Sequence, residues 1–384
     1  MIDISVLNLL NAPTREERLA NLKEVVKTAE FPPMVPQYIN NHIHTTYSFS
    51  PYSPTAAVYA ARMEGLCTAG IIDHDSISGA EEFIEAAKII DMPVTIGMEA
   101  RVSMEGTRLE GRRTNNPDQV GVSYMTIQSV PHDKIETLTE FFRPYQAARH
   151  ARNRKMTEKI NALLPTIGLD YDRDVLPLSM AAENGGVTER HLMYALAIKL
   201  TEQVGKGDAM VQKLEEMGLT LSEKQKQQMK DTEYPFYEYD LLGILKGAFV
   251  PQIFIDATEE CPKLKDMVKL CADVDAYLCY AYLGDVGDSV TGDKKAQKFE
   301  DDYLDDVFEC LKEEGVKAVT YMPTRNTPAQ LERLRSLCDA YGMFQISGED
   351  INTPRQSFII RAMENPMFQN LIDATWKLIE HENK

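Results

Sequence analysis

Three short apolar runs near the amino terminus each end in side chains that bind metals, and this repetition constrains the chain more than any other feature. Tyr38-Ile39-Asn40-Asn41-His42-Ile43-His44 is the first, Ala69-Gly70-Ile71-Ile72-Asp73-His74-Asp75 the second, and Pro93-Val94-Thr95-Ile96-Gly97-Met98-Glu99 the third. Side chains alternate along a strand, so His42 and His44 project to one side and can reach a single cation. An isolated pair of this kind is often a coincidence on a half-exposed strand; three successive strand tips bearing imidazoles and carboxylates are much harder to dismiss. Helical signals separate the runs. Ser53 can cap, and Pro54 fits the first turn of, a helix over 54–65, while Ser78-Gly79-Ala80-Glu81 reads as a capping box before a helix over 79–90. From 37 to about 130 this alternation predicts parallel strands with helices outside, an architecture that places its sites at the strand ends.

The remaining segments divide around that unit. Residues 1–36 form a helical extension, in which Thr14-Arg15-Glu16-Glu17 opens a helix carrying Leu19, Leu22, Val25 and Val26 at helical spacing before Pro32-Pro33 ends it. Residues 132–250 lose the strand rhythm and show long polar helical patterns, including 149–164 and 222–230, with Gly185-Gly186 as a hinge or turn. This stretch reads as a mostly helical insertion. Strand patterns return at 276–283, 317–322 and 343–350, with helices over 300–314 and 327–341 and a closing amphipathic helix around Trp376. The barrel is therefore expected to comprise 37–131 and 251–384.

Composition narrows the function. With 41 basic against 59 acidic residues, the chain carries a formal charge of -18, which argues against an extended nucleic-acid surface because broad phosphate binding needs a basic patch. A small phosphorylated molecule met by local arginines is compatible with that charge. Arg101, Arg108, Arg112 and Arg113 crowd a Gly-containing loop and read either as solvated surface or as an anion contact. Thr188-Glu189-Arg190-His191 starts a helix, where His191 could meet a phosphate at the exposed amides or simply sit at a surface helix start. The six cysteines form no CxxC pair and are expected to be reduced, apolar packers. Met1-Ile2-Asp3-Ile4-Ser5 lacks a signal-peptide pattern, and no run of about 18 apolar residues occurs, so a cytoplasmic protein with no membrane partner is expected.

His42-x-His44, Ile72-Asp73-His74-Asp75, Gly97-x-Glu99 and Ser347-Gly348-Glu349-Asp350 resemble, in order, the motifs of the polymerase and histidinol phosphatase (PHP) family. The likeness is strongest to its small metal-dependent phosphoesterases, which act on nucleotides or short oligonucleotides and carry a helical insertion. The resemblance implies a distorted (β/α)7 barrel, with His42, His44, Glu99 and Asp350 as ligands of one divalent metal. Zn²⁺, Mn²⁺ and Fe²⁺ all suit two imidazoles and two carboxylates. It further implies that His74 serves a neighbouring metal and that Asp73 orients a ligand; in a hydrolase, His74 would assist by proton transfer, His191 with Arg190 or Arg154 would hold the phosphate, and Asn352 would donate to a substrate oxygen. This chain also departs from the family. Phe49 stands for an acidic residue, Ala281-Tyr282-Leu283 for Ala-His-Pro, Asp350-Ile351-Asn352 for Asp-x-His, and 122–126 lacks a histidine. One metal per chain is the resulting expectation. The expected activity is hydrolysis of a small phosphorylated substrate, with a catalytically degenerate module that binds without turnover as the alternative. A single-metal amidohydrolase would need histidines on the middle strands, which are absent.

Overall fold

The computed structural model describes residues 2–287 and 297–384. Its strands are β1 (Val35–Ile43), β2 (Leu66–His74), β3 (Val94–Ser103), β4 (Val122–Gln128), β5 (Tyr277–Ala281), β6 (Ala318–Tyr321) and β7 (Phe344–Ser347), ordered β1 to β7 in one sheet. All but the last residue of β2 is buried, as befits a strand covered on both faces. The sheet nearly closes into a barrel. Just beyond β7, Ile351 bridges Ile43 in parallel; His44 N–H donates to the Ile351 carbonyl at 2.9 Å, and Ile351 N–H donates to that of His42 at 3.1 Å. Gly348 permits this seam, since a β-carbon there would lie 2.6 Å from that of His42.

The expectation of uniformly parallel strands fails at β4. β3 pairs antiparallel with β4, and β4 antiparallel with β5, whereas the other neighbours are parallel. The reason lies in the connection: 104–121 contains no helix to carry the chain back across the sheet, so it reverses directly beside β3.

The helices α1 (Ile4–Leu10) and α2 (Arg15–Val25) precede the barrel, and α3 (Pro54–Met63) and α4 (Ala80–Ile89) cover its first strands. Ser53 caps α3 as expected, its hydroxyl accepting from Ala56 N–H. Ser78 does not cap α4. That helix starts after Gly79 with no side-chain cap, because the Ser76 hydroxyl accepts the Ser78 N–H and turns the chain one residue later. Arg18 of α2 pairs with Glu82 of α4 at 2.5 Å, both buried, and Glu82 also accepts from Thr55 N–H and its hydroxyl. Removing one partner of such a buried pair costs about 3–5 kcal/mol, because it strands the other charge.

Between β4 and β5 the chain forms α5 (Ile135–Leu163), α6 (Glu189–Val204), α7 (Asp208–Glu216), α8 (Glu223–Lys230) and α9 (Tyr237–Ile253). They surround an apolar cluster that includes Met156, Leu196, Leu200 and Leu245, separate from the barrel core. Arg149 and Arg152 of α5 and Arg101 of β3 meet Asp75, Glu189 and Glu260 in a buried ionic network joining these helices to the strand tips. A further helix, α10 (Leu264–Asp273), leads into β5; α11 (Leu304–Glu314) and α12 (Pro328–Tyr341) flank β6, and α13 (Gln369–Glu382) is the last helix. The Glu382 carboxylate accepts from Thr95 and Ile96 at the start of β3, anchoring α13 to the barrel.

Candidate metal centre

The ends of β1, β2 and β3 bring three imidazoles together. The rings of His42 and His44 lie 5.0 Å apart, and those of His44 and His74 stack at 4.6 Å. Parallel register sets Glu99 beside His74, and Glu99 Oε2 lies 3.1 Å from His74 Nδ1 and 3.7 Å from His42 Nε2. Asp350, just past β7, completes the rim with Oδ1 at 3.1 Å from His44 Nε2. Potential ligand atoms converge in two overlapping groups, His42 with His44 and Asp350, and His44 with His74 and Glu99. The expected set of His42, His44, Glu99 and Asp350 is thus brought to one place, with His74 sharing it.

The hydrogen bonds prepare these rings for a cation. Asp73 accepts from Thr45 N–H, the Thr45 hydroxyl and the Ser48 hydroxyl, each at 2.6 Å. Ser48 has thereby spent its proton, so at 3.2 Å its oxygen accepts from His44 Nδ1–H. That bond leaves the His44 Nε2 lone pair free. Asp73 therefore positions His44 through Ser48, the supporting arrangement common behind metal-binding histidines. Buried and without hydrogen-bond partners, Nε2 of both His42 and His44 face the site. Buried imidazole nitrogens without partners are rare, and a divalent cation would satisfy them. Asn40 fixes β1 against the final motif by accepting from both His42 N–H and Glu349 N–H at 3.0 Å.

Electrostatics agree with this donor set. Burial pushes the Glu99 carboxyl up, but the charges of His74 and His42 outweigh it and hold the group below its ordinary range. Asp350 behaves likewise, with His44 as the main opposing influence. Burial lowers the His44 imidazole despite Asp350, keeping it neutral. Both carboxylates are therefore ionised while His44 retains a lone pair, the protonation state that a metal requires.

These residues open onto a cavity of about 350 Å³ that also contains Tyr124, Arg190, Lys246 and Arg325. Arg190 donates to Asn352 Oδ1 at 2.7 Å, and Asn352 Nδ2 donates to Asp350 Oδ1 at 2.5 Å, so the guanidinium is tied to the metal rim through an amide. Arg325 donates to the Leu283 carbonyl rather than to a carboxylate.

Not every expected residue arrives. Arg154 pairs with exposed Asp172 and lies over the Tyr171 ring on the outside of α5, because its position on that helix points away from the barrel. His191 does not line this cavity; its Nδ1 accepts the Thr188 N–H in a capping box, and its ring turns to a second cavity. Arg101, Arg108 and Arg112 are engaged by carboxylates, and Arg113 by backbone carbonyls. Two cavity residues were missed. Lys246 is the lone cation in Leu241-Leu242-Gly243-Ile244-Leu245-Lys246-Gly247-Ala248-Phe249, a signal available in the sequence; Arg325 follows β6 in a loop at a strand end, where sites of this architecture gather.

Comparison with known proteins places this geometry. The chain is 33% identical over 96 residues to error-prone DNA polymerases of Mycobacterium bovis and Mycobacterium tuberculosis, a match covering 24% of this chain and 8% of each relative. It thus spans a small part of the length of these curated relatives. Its fold resembles that of a Bifidobacterium adolescentis protein described as a candidate metal-dependent phosphoesterase, with a TM-score of 0.54 and 18% identity over 89% of this chain and 98% of the other. An amidohydrolase from Chromobacterium violaceum, solved with bound sulfate and no metal, gives a TM-score of 0.54 at 13% identity, covering 88% and 96% of the two chains. The PHP domain family model matches residues 40–184 of this chain, which contain the end of β1, all of β2 to β4 and four of the five rim residues.

Proposed function

We propose that the protein is a metal-dependent phosphoesterase acting on a small phosphorylated molecule. The observation that carries this reading is the pair of orphaned Nε2 atoms of His42 and His44 beside Glu99 and Asp350, at a rim whose His42, Glu99 and Asp350 line a cavity that also holds three cationic side chains. When bound, a divalent ion would polarise a phosphoryl oxygen and lower the pKa of a coordinated water to about 7. One ion per chain, drawn from Zn²⁺, Mn²⁺ and Fe²⁺, is our reading of a donor set in which His44 belongs to both overlapping groups. His42, His44, Glu99 and Asp350 would hold it.

The remaining roles follow from position. His74, partly exposed at the cavity wall and held by Glu99, would exchange a proton with the substrate, and Asp73 would keep His44 aligned. Arg190, with Asn352 fixing its guanidinium, would take phosphate oxygens, and Lys246 and Arg325 would add charge at the opposite walls. The phosphoesterase description of the Bifidobacterium neighbour is consistent with this reading.

The alternative, a module that binds without turnover, draws on Tyr282, whose hydroxyl donates to Asp301 at 2.6 Å and is thereby committed away from the metal rim. One experiment separates the two. Chelated protein is reloaded with each metal, metal per chain is counted, and release of phosphate from a panel of mono- and diesters is measured for the parent and for His42→Ala. Turnover that requires both metal and His42 supports the hydrolase. Stoichiometric metal with no turnover favours the binding module, and failure to take up metal would remove both.

A further inference from the structure

A second cavity of about 310 Å³ lies between α1, the loop following His44, and the helices α6 and α9. It shares no lining residue with the metal cavity. Its character is opposite. The metal cavity displays carboxylates, arginines and a lysine, whereas no Lys, Arg, Asp or Glu among the described residues lines the second. Its walls are aromatic. Phe49 stands edge-on to His191 with centroids 4.9 Å apart and meets Tyr239 at 5.4 Å, while Tyr194 meets Tyr239 at 4.9 Å and Phe236 meets Tyr239 at 6.0 Å.

Asn8, Asn11, Thr46 and Ser50 also line this cavity, and among its polar groups His191 stands against the aromatic rings. His191 is 1% exposed, and both of its hydrogen-bond contacts, to Thr188 N–H at 3.0 Å and to the Thr188 hydroxyl at 3.3 Å, use Nδ1. Accepting a backbone N–H at Nδ1 places the ring proton on Nε2. The imidazole thus retains a donor on a ring that lines the cavity. Burial, reinforced by the Arg149 charge, pushes its pKa down to about 3, so it is neutral at physiological pH. A neutral donor among aromatic rings, with no charged side chain in the lining to pair with an ion, selects a flat, uncharged ligand bearing an acceptor.

We propose that this cavity is a second ligand site, which binds a small uncharged heteroaromatic ring by accepting the His191 Nε2–H and packing the ring among Phe49, Tyr194, Phe236 and Tyr239. The site sits at the back of the metal-binding loop, because Thr46 and Phe49 line it while Ser48 of the same loop holds His44. Adjacent residues at the start of α6 are divided between the two cavities: Arg190 faces the charged one and His191 the uncharged one.

Nicotinamide, a neutral planar ring with acceptors, serves as the probe. The full chain, labelled with ¹⁵N in its histidine rings, is titrated with nicotinamide and separately with inorganic phosphate, and the His191 signals are identified by their loss in His191→Gln. The expected result is a saturable shift of His191 Nε2 with nicotinamide, no such shift with phosphate, and unmoved signals from His42 and His44. Leu178, 38% exposed at the cavity rim, provides a substitution that spares the core. Leu178→Trp should narrow the entrance and weaken nicotinamide binding by roughly tenfold or more. Absence of a saturable shift, an equal response to phosphate, or unchanged affinity in Leu178→Trp would each overturn the proposal.

Discussion

Two regions of the barrel hold carboxyl groups at strand ends or beside them and treat them in opposite ways. At the rim formed by β1, β2, β3 and the segment after β7, Glu99 and Asp350 face imidazoles and are held below the ordinary carboxyl range. Beside the end of β5, Glu300 is fully buried, accepts Leu283 N–H and Gly284 N–H, and leaves Oε2 without a partner. Burial pushes it up to about 7, against those backbone bonds. The difference teaches that burial alone disfavours the charged carboxylate, and that at the rim the converging imidazoles reverse it. One region gathers side chains compatible with a metal, whereas the other has Tyr282 and Leu283 where the resemblance expects a histidine and a proline.

The largest effect should come from dismantling the rim. His44→Ala removes the ring common to both ligand groups and should lower metal affinity and any metal-dependent turnover by roughly a hundredfold or more, as metal counting and phosphate release would show. Parent-like metal content in that variant would break the comparison. Asp73→Asn keeps the shape but weakens the hold on Ser48 and Thr45; metal affinity should fall by about 10–100-fold with the fold intact by circular dichroism. A smaller effect is expected of Arg190→Met, which leaves the metal ligands in place. Its KM should rise about tenfold with metal content unchanged, consistent with loss of a charge-assisted contact to phosphate.

The smallest effect sharpens the contrast from the other side. Because Glu300 has a raised pKa in the folded chain, the native state binds a proton that the unfolded chain releases between its ordinary value of 4.5 and about 7. Its stabilising contribution is therefore complete below about 4.5 and is lost as pH rises toward 7. Glu300→Gln should flatten this part of the pH dependence of Tm, a change of roughly a few degrees between pH 5 and 8, without altering metal uptake. An unchanged pH profile would show that Glu300 is not the group responsible.

Legibility in the sequence followed the range of the interactions. The spacing of His42 and His44, the apolar run before Asp73 and His74, and the apolar run closing on Glu99 are local patterns, and the structure brings all of them to one rim although β3 runs on past Glu99 to Ser103. Thr14 and Thr327 cap their helices for the same reason, since a cap depends on residues three apart. Ser78 looked like a cap by the same pattern and is not one, because Ser76 competes for its backbone. Arg154 and His191 misled as substrate contacts, since helix-start and polar-run signals do not reveal which way a helix faces the barrel. Lys246 lies more than a hundred residues from every ligand on β1 to β3, and only the packing of α9 brings it to the cavity.

The sequence by itself determined the strand-helix alternation, the identity of the rim residues and the acidic balance, because periodicity and side-chain chemistry are properties of neighbouring residues. Tertiary structure alone decided that β4 runs backwards, that Ser48 fixes the His44 tautomer, and that the insertion supplies Lys246 to the same cavity as Arg190 but turns His191 to another. Those outcomes depend on how distant segments share space, through the closing seam at Gly348 and the ionic network around Glu189, and no local pattern encodes that geometry.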